Sequence, residues 1–159
     1  MAVSNVSFSA AVDEWVRQSE ARMEAVFRQS CQRLVVVAQT PVAHGGNMPV
    51  DTGFLRASGI ATTQAPVPVN PAAVGEPDKV YEFNNAAALG VLARLKIGQT
   101  LFFCWTAAYA RRIEYGFNGT DSLGRVFNQR GRGFVRLAAQ QWQTIVASTA
   151  REARNRSDF

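Results

Sequence analysis

Pro49-Val50-Asp51-Thr52-Gly53-Phe54-Leu55-Arg56-Ala57-Ser58-Gly59 divides this chain into two kinds of sequence. Upstream, apolar residues recur at helical spacing. Downstream, short extended runs alternate with turns and brief helical patterns. Pro49 restricts its own backbone and biases Met48 toward an extended conformation. Asp51 is expected to cap a short helical turn. Gly53 supplies a positive φ or room for a close backbone approach. Phe54 and Leu55 are the anchors that pin such a turn to a core. Arg56, drawn in beside them, needs an acceptor, and Glu114 or a backbone carbonyl is expected to supply it. The stretch reads as a joint between a helical region and a mixed one.

Upstream of the joint, Val12, Val16, Ser19, Met23, Val26, Ser30, Leu34 and Val37 follow steps of three and four. That spacing puts them on one helix face. Trp15, Phe27, Cys31 and Ala38 widen the stripe, while Arg17, Arg22, Arg28 and Arg33 occupy most of the remainder. Ser7 or Ser9 is the candidate cap, and Asp13 and Glu14 favour the first turn. A helix over 10–39 would be roughly 45 Å long. Such a helix either lies along a sheet or projects beyond its own core onto a neighbouring subunit.

Downstream, residues 40–47 hold Pro41, Gly45 and Gly46 and break the helix. Residues 57–65 alternate as a strand. Residues 65–79 contain Pro66, Pro68, Pro71 and Pro77 and read as an extended loop. Residues 80–83 are a brief strand candidate. Asn84 is placed to cap a helix through Ala86, Leu89, Leu92, Ala93 and Leu95, with Gly98 as the turn out. Residues 100–105 carry the strongest strand signal, and apolar residues on both faces predict an internal strand. Residues 108–116 predict a short helix closed by Gly116, with Tyr109 and Ile113 on one face and Ala110 and Glu114 on another. A hairpin or long loop over 116–133 leads to a last helix over 134–151, with Val135, Ala138, Trp142, Ile145, Val146 and Thr149 inward. The expected class is α/β of the α+β kind: a small, mostly antiparallel sheet packed by a long N-terminal and a C-terminal helix, with short helices in the middle. One domain is expected over 9–152, with an arm at 1–8 and a fraying tail at 153–159.

Composition narrows the function classes. The chain has 159 residues, 47% hydrophobic and 18% charged, which suits one domain with a real core. No apolar run approaches the roughly 20 residues of a membrane span. The N-terminus lacks a secretory pattern, so work inside a cell is expected. Cys31 and Cys104 sit among apolar residues and read as free buried thiols. His44 lies in a glycine-rich loop without ligand-spaced partners, so neither a metal nor a cofactor is expected. Residues 1–80 carry six basic and seven acidic side chains, and residues 81–159 carry eleven and five. The second half therefore holds the whole positive excess, which suits a polyanion or an acidic protein partner.

Three blocks, taken in order, resemble the tail-completion or head–tail joining proteins of tailed bacteriophages, in particular the HK97-type neck and minor tail group. The first is Pro49 to Ser58 after a long helix. The second is Leu95-Lys96-Ile97-Gly98 leading into a strand, then Tyr109-Ala110-Arg111-Arg112-Ile113-Glu114-Tyr115-Gly116. The third is Gly133-Phe134-Val135-Arg136 opening the last helix, followed by Ala138 and Ala139. The blocks span roughly residues 10–150, and the proline-rich segment matches poorly. The resemblance implies a non-catalytic virion protein, present in host cytoplasm before assembly. It implies a ring of copies, six by family expectation, at the head-proximal end of the tail. Adjacent tail terminator, tail tube or head connector proteins are its implied partners, with genomic DNA passing non-specifically and no membrane involved. Its motif residues are Pro49, Asp51, Thr52, Gly53, Leu55, Arg56, Tyr109, Glu114 and Gly116.

A ring protomer needs two different faces, and arginines facing a lumen reduce repulsion with passing phosphates. Arg125, Arg130, Arg132 and Arg136 are the candidates for a lumen or a docking surface. Tyr109 and Tyr115 read as core or interface aromatics. Other readings remain. A tail terminator or head-closure protein shares the same kind of fold and ring. A nucleic-acid-binding module is suggested by the late arginines beside Phe127, Phe134 and Trp142. Asp51-Thr52-Gly53 also copies the aspartic-protease tripeptide, but Phe54 stands where that family has a small residue, and no strand pattern precedes Asp51.

Overall fold

Helix α1 (Phe8–Gln39) opens the computed structural model, which describes residues 8–157. The Ser7 cap and residues 1–7 of the expected arm at 1–8 lie outside the described residues; Phe8, the arm's expected last residue, and Ser9 already belong to the helix. The end of α1 is set locally. Thr40 Oγ1 donates back to the Val36 carbonyl at 2.7 Å, and Pro41 cannot continue the ladder. Residues 40–48 then turn back, and a Cβ on Gly46 would meet the Thr40 carbonyl oxygen at 2.0 Å. Only glycine fits that approach.

The joint folds as a four-residue helix, α2 (Phe54–Ala57), feeding β1 (Gly59–Thr62). Helix α3 (Asn85–Ala93) begins at Asn84, whose side chain accepts from the Ala86 amide. Strand β2 (Phe102–Trp105) pairs antiparallel with β1, Gly59 opposite Trp105 and Thr62 opposite Phe102. Helix α4 (Ala110–Tyr115) closes at Gly116, and β3 (Gly116–Thr120) and β4 (Val126–Arg130) form an antiparallel hairpin. Helices α5 (Phe134–Ala139) and α6 (Trp142–Ser157) end the described chain. The molecule is a small α+β domain with the expected long N-terminal helix, short middle helices, antiparallel pairing and C-terminal helix.

Four elements differ from the sequence reading. Residues 80–83 form no strand; of their backbone amides, only that of Tyr81 is engaged among the described residues, donating to the Thr52 carbonyl at 2.8 Å. Strand β2 is not internal, because its ladder has two strands. Apolar residues lie on both its faces because the proline-rich loop, not a third strand, runs beside it: the Val67 amide meets Cys104 Sγ at 3.3 Å. Helix α3 stops at Ala93, leaving Leu95 buried in the following turn. The last helix is broken at Gln140 and Gln141 into α5 and α6, and α6 continues to Ser157, past the expected fraying point.

Two apolar clusters hold the elements. Ala38, Met48, Leu55, Trp105, Ala107, Ala110, Phe134 and Ala138 form the larger. An aromatic ladder crosses it, with Phe103 to Trp105 and Trp105 to Phe134 ring centroids 4.9 and 5.0 Å apart, both edge to face. Cys31, Leu92 and Leu95 form the smaller, flanked by Phe27, Leu101 and Trp142. Both cysteines are free. Burial pushes the Cys31 thiol up to about 11, so it stays protonated and acts as a small apolar group. Two arginines of α1 tie it to other elements. Arg28 donates to the Leu95 carbonyl, and Arg33 grips Glu152 of α6 through both carboxylate oxygens.

Candidate assembly surfaces

The joint is a wall of a cleft of about 460 Å³, lined by Pro49, Asp51, Thr52, Gly53, Leu55, residues 74–77 and Tyr109 with Ile113. Gly53 sits at φ +85°, and a Cβ there would lie 2.3 Å from the Tyr81 carbonyl oxygen. Glycine is therefore required twice, by conformation and by space. The Phe54 ring meets Tyr81 edge to face at 5.0 Å and Tyr109 at 6.5 Å. Burial raises the Tyr109 hydroxyl above the ordinary phenol range; the Leu55 backbone opposes this and the Asp51 charge adds to it. The proline-rich loop is fastened here. The Glu76 amide donates to the Tyr81 hydroxyl at 2.9 Å, the Ala108 amide to the Ala73 carbonyl at 2.9 Å, and the Asn70 amide to the Thr106 carbonyl at 2.8 Å.

Two expected roles in the joint are corrected. Asp51 does not cap α2. The N-cap is Gly53, without a side-chain bond, and the Phe54 amide reaches Thr52 Oγ1 at 3.4 Å. Arg56 does not pair with Glu114, nor with a carbonyl among the described residues. Its Nε is buried without a hydrogen-bond partner among them, and its own carbonyl accepts from Gln39 Nε2 at 3.3 Å. Nor does the aspartic-protease reading fit, since Asp51 precedes a helical turn in an α+β domain.

Glu114 serves a different partner. Its carboxylate accepts from the Val135 amide at 2.9 Å and the Arg136 amide at 3.0 Å, the free donors at the start of α5. Its backbone carbonyl accepts from the Gly133 amide at 3.0 Å. One buried residue thus clamps the second sequence block to the third. A charged acceptor suits the positive end of a helix, and it needs no cation. Gly116 and Gly131 make the crossing possible, since a Cβ on either would meet backbone atoms at 2.5 Å. The sequence signal for this clamp was a carboxylate on the buried face of α4, beside Ala110. Ser58, given no role of its own by the sequence, bridges the joint to the end of β2, accepting from the Ala107 amide at 3.2 Å through its hydroxyl.

The four candidate arginines do not form one patch of equal character. Arg125 pairs with Asp121 at 2.7 Å and lies over Phe127. Burial works against the Asp121 charge, but the Arg125 and Leu123 amides and the Arg125 guanidinium together hold its carboxyl below the usual range. Arg130, Arg132 and Arg136 are exposed and make no ion pair among the described residues. Arg112, which sequence reasoning did not single out, lies over the Phe117 ring at 4.2 Å. Phe117 and Phe127 face each other across the hairpin at 6.0 Å, so the hairpin carries cations on an aromatic base. Tyr115 is exposed, whereas Tyr109 is half-buried.

Helix α1 projects. Phe8, Val12, Trp15, Val16 and Met23 are exposed, although they continue the stripe that is buried or half-buried from Ser30 onward. Where α6 packs against α1, a groove of about 510 Å³ opens between Met23, Val26 and Phe27 on one side and Trp142, Val146 and Ala150 on the other. Arg22 and Arg154 stand at its rim. Among the described residues no group of His, Cys, Asp and Glu could hold a metal ion, and no helix is long and apolar enough to cross a membrane. No protein-family model, curated protein or solved structure matches the chain.

Proposed function

We propose that this chain is a structural subunit of a tailed-bacteriophage virion. It forms a ring at the head-proximal end of the tail or neck, completes the tail, and joins it to the head connector while DNA passes through. The observation that supports this reading best is the convergence of the three blocks on which the resemblance rests. The joint meets α4 through Phe54 and Tyr109, and α4 meets α5 through Glu114. The blocks thus build one scaffold, and an uncovered apolar stripe runs away from it along α1. That division suits a subunit made to stack beside others and to process no substrate.

The hairpin fits the same role. Its exposed Arg130 and the nearby Arg132 and Arg136 lack carboxylate partners among the described residues, so they are available to acidic groups of an adjacent ring or to DNA phosphates in a lumen. Imaging of intact particles that carry this chain tests the function. A ring of copies at the head–tail junction is expected, with its position separating completion from terminator or head-closure roles. Absence of the chain from assembled particles overturns the proposal.

A further inference from the structure

We infer that the N-terminal half of α1 from one copy seats in the α1–α6 groove of a second copy, with Trp15 and Val16 as its anchors. The inference rests on the ring reading above and names the contact that repeats around the ring. Trp15 is 69% exposed and Val16 41%, on the same face as Phe8 and Val12. The groove is apolar along both walls, and its volume suffices for an aromatic ring with aliphatic neighbours.

Charge points to the same pairing. At the groove rim, Arg22 and Arg154 make no ion pair among the described residues. On the projecting half, Glu14 is taken by Arg17 and Gln18, but Asp13 and Glu20 have no such partner among the described residues. These two carboxylates are two helical turns apart and flank the stripe on one side. An apolar rod edged with free carboxylates thus complements an apolar groove edged with free guanidiniums.

The occupant cannot be the chain's own helix. Residues 22–30 of α1 are a wall of the groove, and α1 runs unbroken from Phe8 to Gln39, so its first turns are held away from that wall. The two surfaces also differ from each other. A contact between unlike surfaces is heterologous, leaves one of each free at the ends, and repeats until the ring closes.

Two variants of the full chain test this: Trp15→Glu on the projecting half and Ala150→Glu in the groove, both at exposed positions. Circular dichroism and melting check that each keeps the fold, and light scattering with sedimentation reads the mass. Wild type is expected to self-associate, and each variant alone to do so at least about tenfold more weakly. An equimolar mixture should form a heterodimer that grows no further, since only one intact helix and one intact groove remain to meet. A wild type that stays monomeric at near-millimolar concentration overturns the inference. So does a mixture that fails to pair, or association that Trp15→Glu abolishes and Ala150→Glu leaves intact, as a symmetric α1–α1 dimer would behave. Particles that contain the chain yet assemble normally with both variants overturn this contact and leave the proposed function standing. A contact confirmed in a chain absent from particles does the reverse.

Discussion

The two halves of α1 share one apolar stripe and meet opposite fates. From Ser30 to Gln39 the stripe is covered by α5, α6 and the joint: Ser30, Cys31 and Ala38 are buried, and Leu34 and Val37 are half-buried. From Phe8 to Met23 the same spacing leaves Val12, Trp15 and Val16 in solvent. Periodicity specifies that a face exists. It does not specify what covers it, because cover depends on which later elements fold back and how far they reach. Helix α6 packs against α1 from Arg22 to Val37 and leaves the turns before Arg22 uncovered, with Arg33 and Glu152 tying the two helices together.

This contrast makes graded predictions. The covered half depends on α5, so Phe134→Ala, which removes the buried ring against Trp105, should cost about 3–5 kcal/mol in urea unfolding. Glu114→Ala takes the acceptor from two α5 amides at part-buried hydrogen bonds and should cost about 1–3 kcal/mol, while Glu114→Gln, which keeps an acceptor, should cost less. A smaller effect comes from the tie between helices. The hydrogen bond from Arg33 holds the Glu152 carboxyl below the ordinary glutamate range. The folded form therefore binds this proton less readily than the unfolded form. Its stabilisation is complete above the ordinary pKa and is lost as pH falls through the lowered one. The melting difference between wild type and Glu152→Gln should vanish on acidification and shrink with salt. The smallest effect is expected on the projecting half, where Val12→Ser with Val16→Ser should move monomer stability by no more than about 0.5 kcal/mol. A loss there as large as that of Phe134→Ala would mean the two halves do not differ as described.

Local chemistry made much of the fold legible. The length of α1, its stop before Pro41, the Asn84 cap, the Gly116 closure and the hairpin after it all depend on residues adjacent in sequence. The candidate surfaces were legible in part. The joint, Tyr109 and the proline-rich loop do share one cleft, but Asp51 and Arg56 do not play the parts their residue types suggested. An aspartate before a glycine is a sound capping candidate, yet at this turn Gly53 takes the cap position at positive φ. Gln140 and Gln141 are no helix breakers, so nothing in the pattern marked the division of α5 from α6.

What the order of residues determined was where the backbone can be regular and which side of each element is apolar. Caps, prolines, glycines and spacing act over a few residues, and their energies are decided before any distant contact forms. Only the folded chain decided partnership: Glu114 with the amides of α5 rather than with Arg56, the loop rather than a strand beside β2, and a stripe on α1 covered along half its length. Those outcomes turn on which buried donors most need an acceptor and how far each element reaches. Both are properties of positions in space, not of neighbours in sequence.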